Sequence, residues 1–393
     1  IKLHNDLNPN ETEGSWGMLD WDHFNEYTMN YIHQVNQIWI DEYRVDGFRF
    51  DATQMIGWDL NQSEFGLLGI TQNIHNIDPN IYQIAEHLPA DPWLINNSYF
   101  TSGWNDSFHD KILDDIHGNY VTTASFMQQV IGLNEYSNNS NNYEYPQQTI
   151  KYMVSHDEQS LIQEMTVFND YSIDHALERD KFYATLMFTS RGIPMLFQGQ
   201  EFGLRTGWTD DNGNGDYEEK LQYRPVDWAY LETNEGQSHL SHYSKLASFR
   251  KKNPALTNGQ FYDLWRYTNE RVIVYGYKDE FDNNNDQVVV IANFSNEDKV
   301  VYNVPFLSSG NWYNLFNSDN DLFTEDGNYG EYTISSKTAE VYSNRIWNLE
   351  LAKDKITPST IQLYTYPNPF NGEIKINLYF NSTAEGIIKI YNI

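Results

Sequence analysis

Three acidic residues, Asp51, Glu86 and Asp157, each follow a short apolar run, and Arg49 and His156 stand next to two of them. Two carboxyl groups placed across one bond can divide the work, one ionised as a nucleophile and the other protonated as an acid. The run Asp46-Gly47-Phe48-Arg49-Phe50-Asp51 gives the ionised member a partner. In an extended strand Arg49 and Asp51 are two positions apart and point to one side, so the guanidinium can hold Asp51 charged and aimed. A single acid at a strand end is usually a cap or a surface charge. The weight comes from the set: three acids after successive strands, with Arg49 and His156 beside them.

Those residues need elements that bring them together. Apolar runs at 44–50, 81–85, 150–155 and 192–198 read as short buried strands. They lead into Asp51, Glu86, the pair His156-Asp157, and the turn Gly199-Gln200-Glu201. Between them, the segment 25–42 carries Tyr27, Tyr31, Val35, Ile38 and Trp39 at helical spacing. Buried strands alternating with helices predict an α/β fold with a parallel sheet. Polar groups at the C-terminal strand ends suit a (β/α)8 TIM barrel, whose chemistry sits at that face. A doubly wound open sheet has the same periodicity. No Gly-x-Gly-x-x-Gly follows any of these strands, so dinucleotide binding has no support.

Beyond residue 260 the texture changes. Runs at 271–276, 287–294 and 299–304 are β-rich and separated by Asp/Asn clusters, which predicts an antiparallel β-sandwich domain. The organisation expected is a barrel portion over 1–259, an all-β domain over 260–352, a linker over 353–360 and a partial small β module over 361–393.

The bulk composition narrows the classes of partner. The 393 residues include 25 Lys and Arg against 55 Asp and Glu, a formal net charge of -30. Nucleic acid and anionic membrane surfaces reward clustered basic residues, so neither is expected as a partner. There is no cysteine, which removes disulfides, thiol catalysis and thiolate metal sites. No stretch reaches the roughly 18 to 20 apolar residues of a membrane-spanning helix.

The ordered set resembles glycoside hydrolase family 13, the α-amylase and 1,4-α-glucan branching-enzyme family. Four stretches carry the resemblance: 45–51, Ile84-Ala85-Glu86, Ser155-His156-Asp157-Glu158, and Gly192-Ile193-Pro194 onward to Gly203. It implies a retaining glycosidase acting on α-glucans. By that implication Asp51 attacks the anomeric carbon to form a glycosyl-enzyme, and Glu86 protonates the leaving oxygen and then activates the acceptor. Asp157 would grip sugar hydroxyls, while Arg49 and His156 hold the nucleophile and sugar in the same subsite. Trp104, with Trp208, is a candidate platform for a sugar ring in a loop after a strand. The family's first motif and first three barrel strands are expected before Ile1, leaving about strands 4–8 here.

No cofactor is required for this chemistry. A structural calcium belongs to some relatives but is not supported by these residues, and the metal assignment stays unknown. The loop Asp210-Asp211-Asn212-Gly213-Asn214-Gly215-Asp216 superficially resembles a calcium loop but lacks the closing Glu of an EF-hand. After the nucleophile the chain continues Ala52-Thr53-Gln54, where α-amylases often place a Lys-His pair. The segment Trp104-Asn105-Asp106-Ser107-Phe108-His109 is similar to trehalohydrolases. Three readings stand: α-amylase-type hydrolysis of α-1,4 bonds, which is favoured; branching or trehalohydrolase-like chemistry; and a non-catalytic glucan-binding protein.

The C-terminal residues resemble a type IX secretion sorting domain through Tyr366-Pro367-Asn368-Pro369-Phe370-Asn371 and Ile388-Lys389-Ile390-Tyr391-Asn392-Ile393. This implies export by the type IX machinery of a Gram-negative bacterium, to the cell surface or beyond.

Overall fold

The computed structural model describes residues 21–118, 132, 142–209, 214–216, 223–280 and 285–349, and the backbone of two further strands at Ile361–Tyr366 and Lys375–Phe380. Five short strands, β1 (Gly47–Phe50), β2 (Tyr82–Ala85), β3 (Ser102–Asn105), β4 (Thr149–Tyr152) and β5 (Ile193–Met195), form one parallel sheet in sequential order. Parallel neighbours require crossovers. Helices Gly66–Ile77 and Asp106–Ile116 supply two of these, and Ile173–Thr189 a third. Gly47 has a steric reason: a Cβ there would lie 2.6 Å from Tyr82 O across the first ladder.

Four of the five strands fall where apolar runs predict them. β3 does not announce itself, because Ser-Gly-Trp-Asn has a single large apolar side chain. β4 ends at Tyr152, so His156 and Asp157 sit on the turn beyond the strand rather than at its last residue. β5 is likewise shorter than 192–198.

Helix Glu26–Asp41 forms as its spacing predicts, capped by the Asn25 side chain accepting from Tyr27 N at 2.9 Å. Met29 is packed with Ile70, Ile74 and Ile81, and Ile32 and Ile40 lean on the same cluster. Of the helically spaced residues, Tyr27, Tyr31, Ile38 and Trp39 are exposed and Val35 is half-buried. Periodicity locates a helix but cannot choose between two apolar faces.

The C-terminal end of helix Ile173–Thr189 is held from a second helix and from the β domain. Arg250, on helix Asn234–Lys252, donates to the carbonyls of Phe188, Ser190 and Gly192, satisfying acceptors that the end of helix Ile173–Thr189 leaves open. From β6 (Gln260–Tyr267) onward the described residues form strands and turns, with one short 3-10 helix at Ser318–Asn320. A six-stranded antiparallel sheet and the two-stranded ladder of Lys299–Pro305 with Asn328–Ile334 enclose a core of Val274, Ile291, Val304, Trp312 and Tyr342. Tyr277 donates from this domain to Thr189 O at 2.7 Å.

Asp115 of helix Asp106–Ile116 ties the two parts together. It receives Arg179 at 2.8 Å, the Tyr183 hydroxyl at 2.6 Å, and Lys337 of the β domain at 2.7 Å on both oxygens. Residues 348–393 form a separate unit, in which the two further strands pair antiparallel. Residues 351–360 and the motifs at 367–371 and 388–393 lie outside the described residues. Among the described residues, no helix is long and apolar enough to cross a membrane.

Candidate active site

β1 and β2 are neighbours in register, with Phe50 opposite Ala85, so Asp51 and Glu86 emerge side by side at the C-terminal ends of adjacent strands. Arg49, one step earlier on β1, reaches both. Its Nη1 is 2.5 Å from Asp51 Oδ1 and its Nη2 is 2.7 Å from Glu86 Oε2. The carboxylates differ in setting. The Asp51 side chain is 65% exposed at the mouth, whereas that of Glu86 is 10% exposed.

Burial pushes the Glu86 carboxyl above its ordinary value; the Ala52 N–H, 3.0 Å from Oε2, and the Arg49 charge oppose this, while neighbouring Asp51 adds to the rise. One acid is therefore open to attack a substrate, and the other is sheltered and biased toward keeping its proton.

The predicted residues form a chain of contacts. The Arg49 guanidinium lies 4.5 Å from the centre of the Trp104 ring. Trp104 meets Tyr152 at 5.0 Å and the edge of His156 at 6.2 Å. His156 Nε2 is 3.4 Å from Asp157 Oδ2, and both side chains are exposed at the open end of the sheet. Trp104 needs correction: it belongs to β3 rather than to a loop and is 6% exposed. Its ring supports Arg49. A sugar would need that face free. Trp208 is also buried, with Arg224 over its ring. His109, in the trehalohydrolase-like segment, is buried and donates from Nδ1 to Met153 O at 2.5 Å.

Two residues of this site escape sequence reasoning. Arg224 donates to Glu158 O at 2.9 Å and His156 O at 3.1 Å, gripping the turn on both sides of Asp157. It lies 67 positions from Asp157 in sequence, with no nearby motif to mark it. Thr53, buried behind Ala52, donates to the Glu86 carbonyl. Its hydroxyl is visible in the sequence, but its target is not. Among the described residues, no group of three or more His, Asp or Glu is placed to hold a metal ion, and residues 210–213 of the calcium-like loop lie outside them.

A parallel sheet with a sheltered and an exposed carboxylate at its C-terminal edge, followed by an all-β domain, defines a class of enzyme fold. The chain belongs to the α-amylase family of glycosidases: residues 13–224 match the alpha amylase catalytic domain, and residues 265–353 the alpha amylase C-terminal all-beta domain.

Among its relatives, pullulanase of Bacillus subtilis (strain 168) is 23% identical over 68% of this chain and 39% of that protein. A 1,4-alpha-glucan branching enzyme GlgB of Halothermothrix orenii is 23% identical over 89% of this chain and 56% of that protein. The chain thus spans about half the length of these relatives or less. The crystal structure of a pullulanase complexed with maltotriose from Anoxybacillus sp. LM18-11 superposes with a TM-score of 0.63 at 23% identity, covering 87% of this chain and 49% of that one. An alpha-amylase from Geobacillus thermoleovorans, complexed with acarbose, gives 0.61 at 18% identity, covering 84% and 67%.

Proposed function

We propose that this chain carries the catalytic carboxylates of a retaining α-glucan glycosidase that hydrolyses α-1,4 bonds of starch or glycogen. The observation that carries the reading is one guanidinium, Arg49, bridging the exposed Asp51 and the buried Glu86. Asp51 attacks the anomeric carbon while Glu86 gives its proton to the departing glycosidic oxygen. Glu86, now ionised, takes a proton from an incoming water, which releases the sugar from Asp51. Asp157 and His156, at the mouth, hold the sugar that becomes attached.

The five strands are read as strands 4–8 of a (β/α)8 barrel. The catalytic part runs to residue 259, the all-β domain from 260 to 352, and a linker from 353 to 360. The module after it is read as a type IX sorting domain that sends the protein outside a Gram-negative cell. Transglycosylation to form branches is the second reading, favoured by a branching-enzyme relative that matches 89% of the chain.

Incubation of the full-length protein with amylose separates the two. Hydrolysis releases reducing ends and short oligosaccharides. A loss of iodine staining without reducing ends, together with new isoamylase-sensitive branches, would replace it by branching. Asp51→Asn removes the nucleophile, and turnover falls on the order of 10⁴-fold or more. Turnover retained in that variant would overturn the carboxylate assignment for both readings.

A further inference from the structure

Glu86 is held through its main chain as well as its carboxylate, and both holds come from the residues just after Asp51. Ala52 has left-handed backbone angles, φ 40° and ψ 50°, unusual for a residue with a Cβ. That turn sends its own N–H to Glu86 Oε2 at 3.0 Å and the next N–H, of Thr53, to Glu86 O at 2.8 Å. The Thr53 hydroxyl lies 2.9 Å from the same carbonyl. Thr53 is fully buried, so no solvent competes.

A hydroxyl has one proton, and a carbonyl can only accept. The Thr53 proton is therefore committed to Glu86 O. His87 Nδ1, 3.0 Å from Thr53 Oγ1, must then be the donor in that contact. This fixes a tautomer: His87 carries its proton on Nδ1 and leaves Nε2 as an acceptor. Burial favours the same neutral ring, pushing His87 below its ordinary value against the opposing charge of Asp91.

We propose that Thr53 is a positioning residue for the acid/base step: its hydroxyl locks the Glu86 main chain to the turn carrying Asp51 and fixes the Nδ1-protonated tautomer of His87. This rests on the roles given above to Asp51 and Glu86 and adds a residue to them. A retaining site needs its carboxyl groups about 5 to 5.5 Å apart. Two adjacent strands set that separation only coarsely, and a displacement of about 1 Å can cost on the order of 10²-fold in rate. Three donors from one turn fix the second carboxylate relative to the first.

The test uses Thr53→Val, which keeps the shape and removes the donor, and Thr53→Ser, which restores it. In the full-length protein with amylose, Thr53→Val lowers kcat about tenfold, the effect of losing one positioning hydrogen bond, with KM within about twofold. The alkaline limb of its pH–rate profile moves upward, because a Glu86 that drifts from Ala52 N–H and Arg49 loses groups favouring its charged form. Thr53→Ser restores both. Ring ¹⁵N shifts of His87 show a protonated Nδ1 in the wild type and a change of tautomer in Thr53→Val.

Wild-type kcat and alkaline limb in Thr53→Val overturn the proposal, as do a loss confined to KM and a loss that Ser fails to restore. A protonated, donor-type Nε2 in the neutral wild-type ring overturns it without reference to activity. Failure of the underlying reading shows differently: Glu86→Gln then turns over amylose as the wild type does, and the positioning role falls with it.

Discussion

The two carboxylates differ because their surroundings differ by one strand. Asp51 leaves β1 into open solvent, while Glu86 leaves β2 under the turn formed by Ala52 and Thr53. Burial is the largest influence on Glu86 and raises it; Ala52 and Arg49 moderate the rise and Asp51 adds to it. As the acid, Glu86 must be protonated for the first step, so activity falls as pH rises through its value. The alkaline limb of kcat/KM should therefore lie above the ordinary Glu value of about 4.3. Arg49→Gln removes a cation that favours the charged form and should carry that limb higher while lowering kcat/KM. A profile of kcat/KM against pH for both proteins checks this, and an unmoved limb would remove Arg49 from the acid's environment.

At the scale of elements, the turn after β4 is built rather than inherited from the strand. The Asp157 N–H reaches Ser155 Oγ at 3.2 Å, Ser155 N–H reaches the Glu158 carboxylate at 2.6 Å, and Arg224 closes the far side. Arg224→Ala leaves two carbonyls without this donor and frees the turn. If Asp157 acts mainly in holding sugar, KM on amylose rises about tenfold with a smaller change in kcat. Arg224→Lys, a point charge instead of a fork, recovers only part of this. An unchanged KM would leave the Arg224 contacts without a binding consequence.

This turn also shows what a sequence can disclose. Strands with strong apolar runs, and acids placed just after them, are legible because burial and period are local properties. β3, with one large side chain, is not. Nor is Arg224, whose meaning depends on a contact across 67 positions, nor the choice of buried face on helix Glu26–Asp41. Trp104 is legible as an aromatic near the site but misplaced in a loop, and the Arg49 packed on it is not legible because it belongs to another strand.

At the scale of the whole molecule, Asp115 joins the sheet's helices to the β domain. Its carboxyl would be raised by burial, but Lys337 and Arg179 outweigh that and hold it below the usual range. Burial, helped by the nearby Arg179 and Arg271, pushes Lys337 down to about 8 despite Asp115, so its ammonium remains the main form at neutral pH. Asp115 is thus the member whose titration breaks the cluster at the acid end. A depressed folded value means that its stabilisation is present above the unfolded value, about pH 3.9, and is lost as pH falls below it. Asp115→Asn strands buried cations and should cost about 3–5 kcal/mol at neutral pH, with a flatter stability curve in that acid window. Thermal or urea unfolding between about pH 3 and 7 measures both; equal stability of variant and wild type would make the cluster incidental.

The stripe of Tyr27, Tyr31, Ile38 and Trp39, exposed among the described residues, has a consequence for this chain taken by itself. Every molecule carries a net charge of -30, which keeps neighbours apart over about a Debye length, while the stripe attracts at contact. Salt shortens the first range and leaves the second intact. Ionic strength therefore sets how crowded a solution of this chain can become before its molecules adhere, and dilute buffer is the condition that keeps them separate.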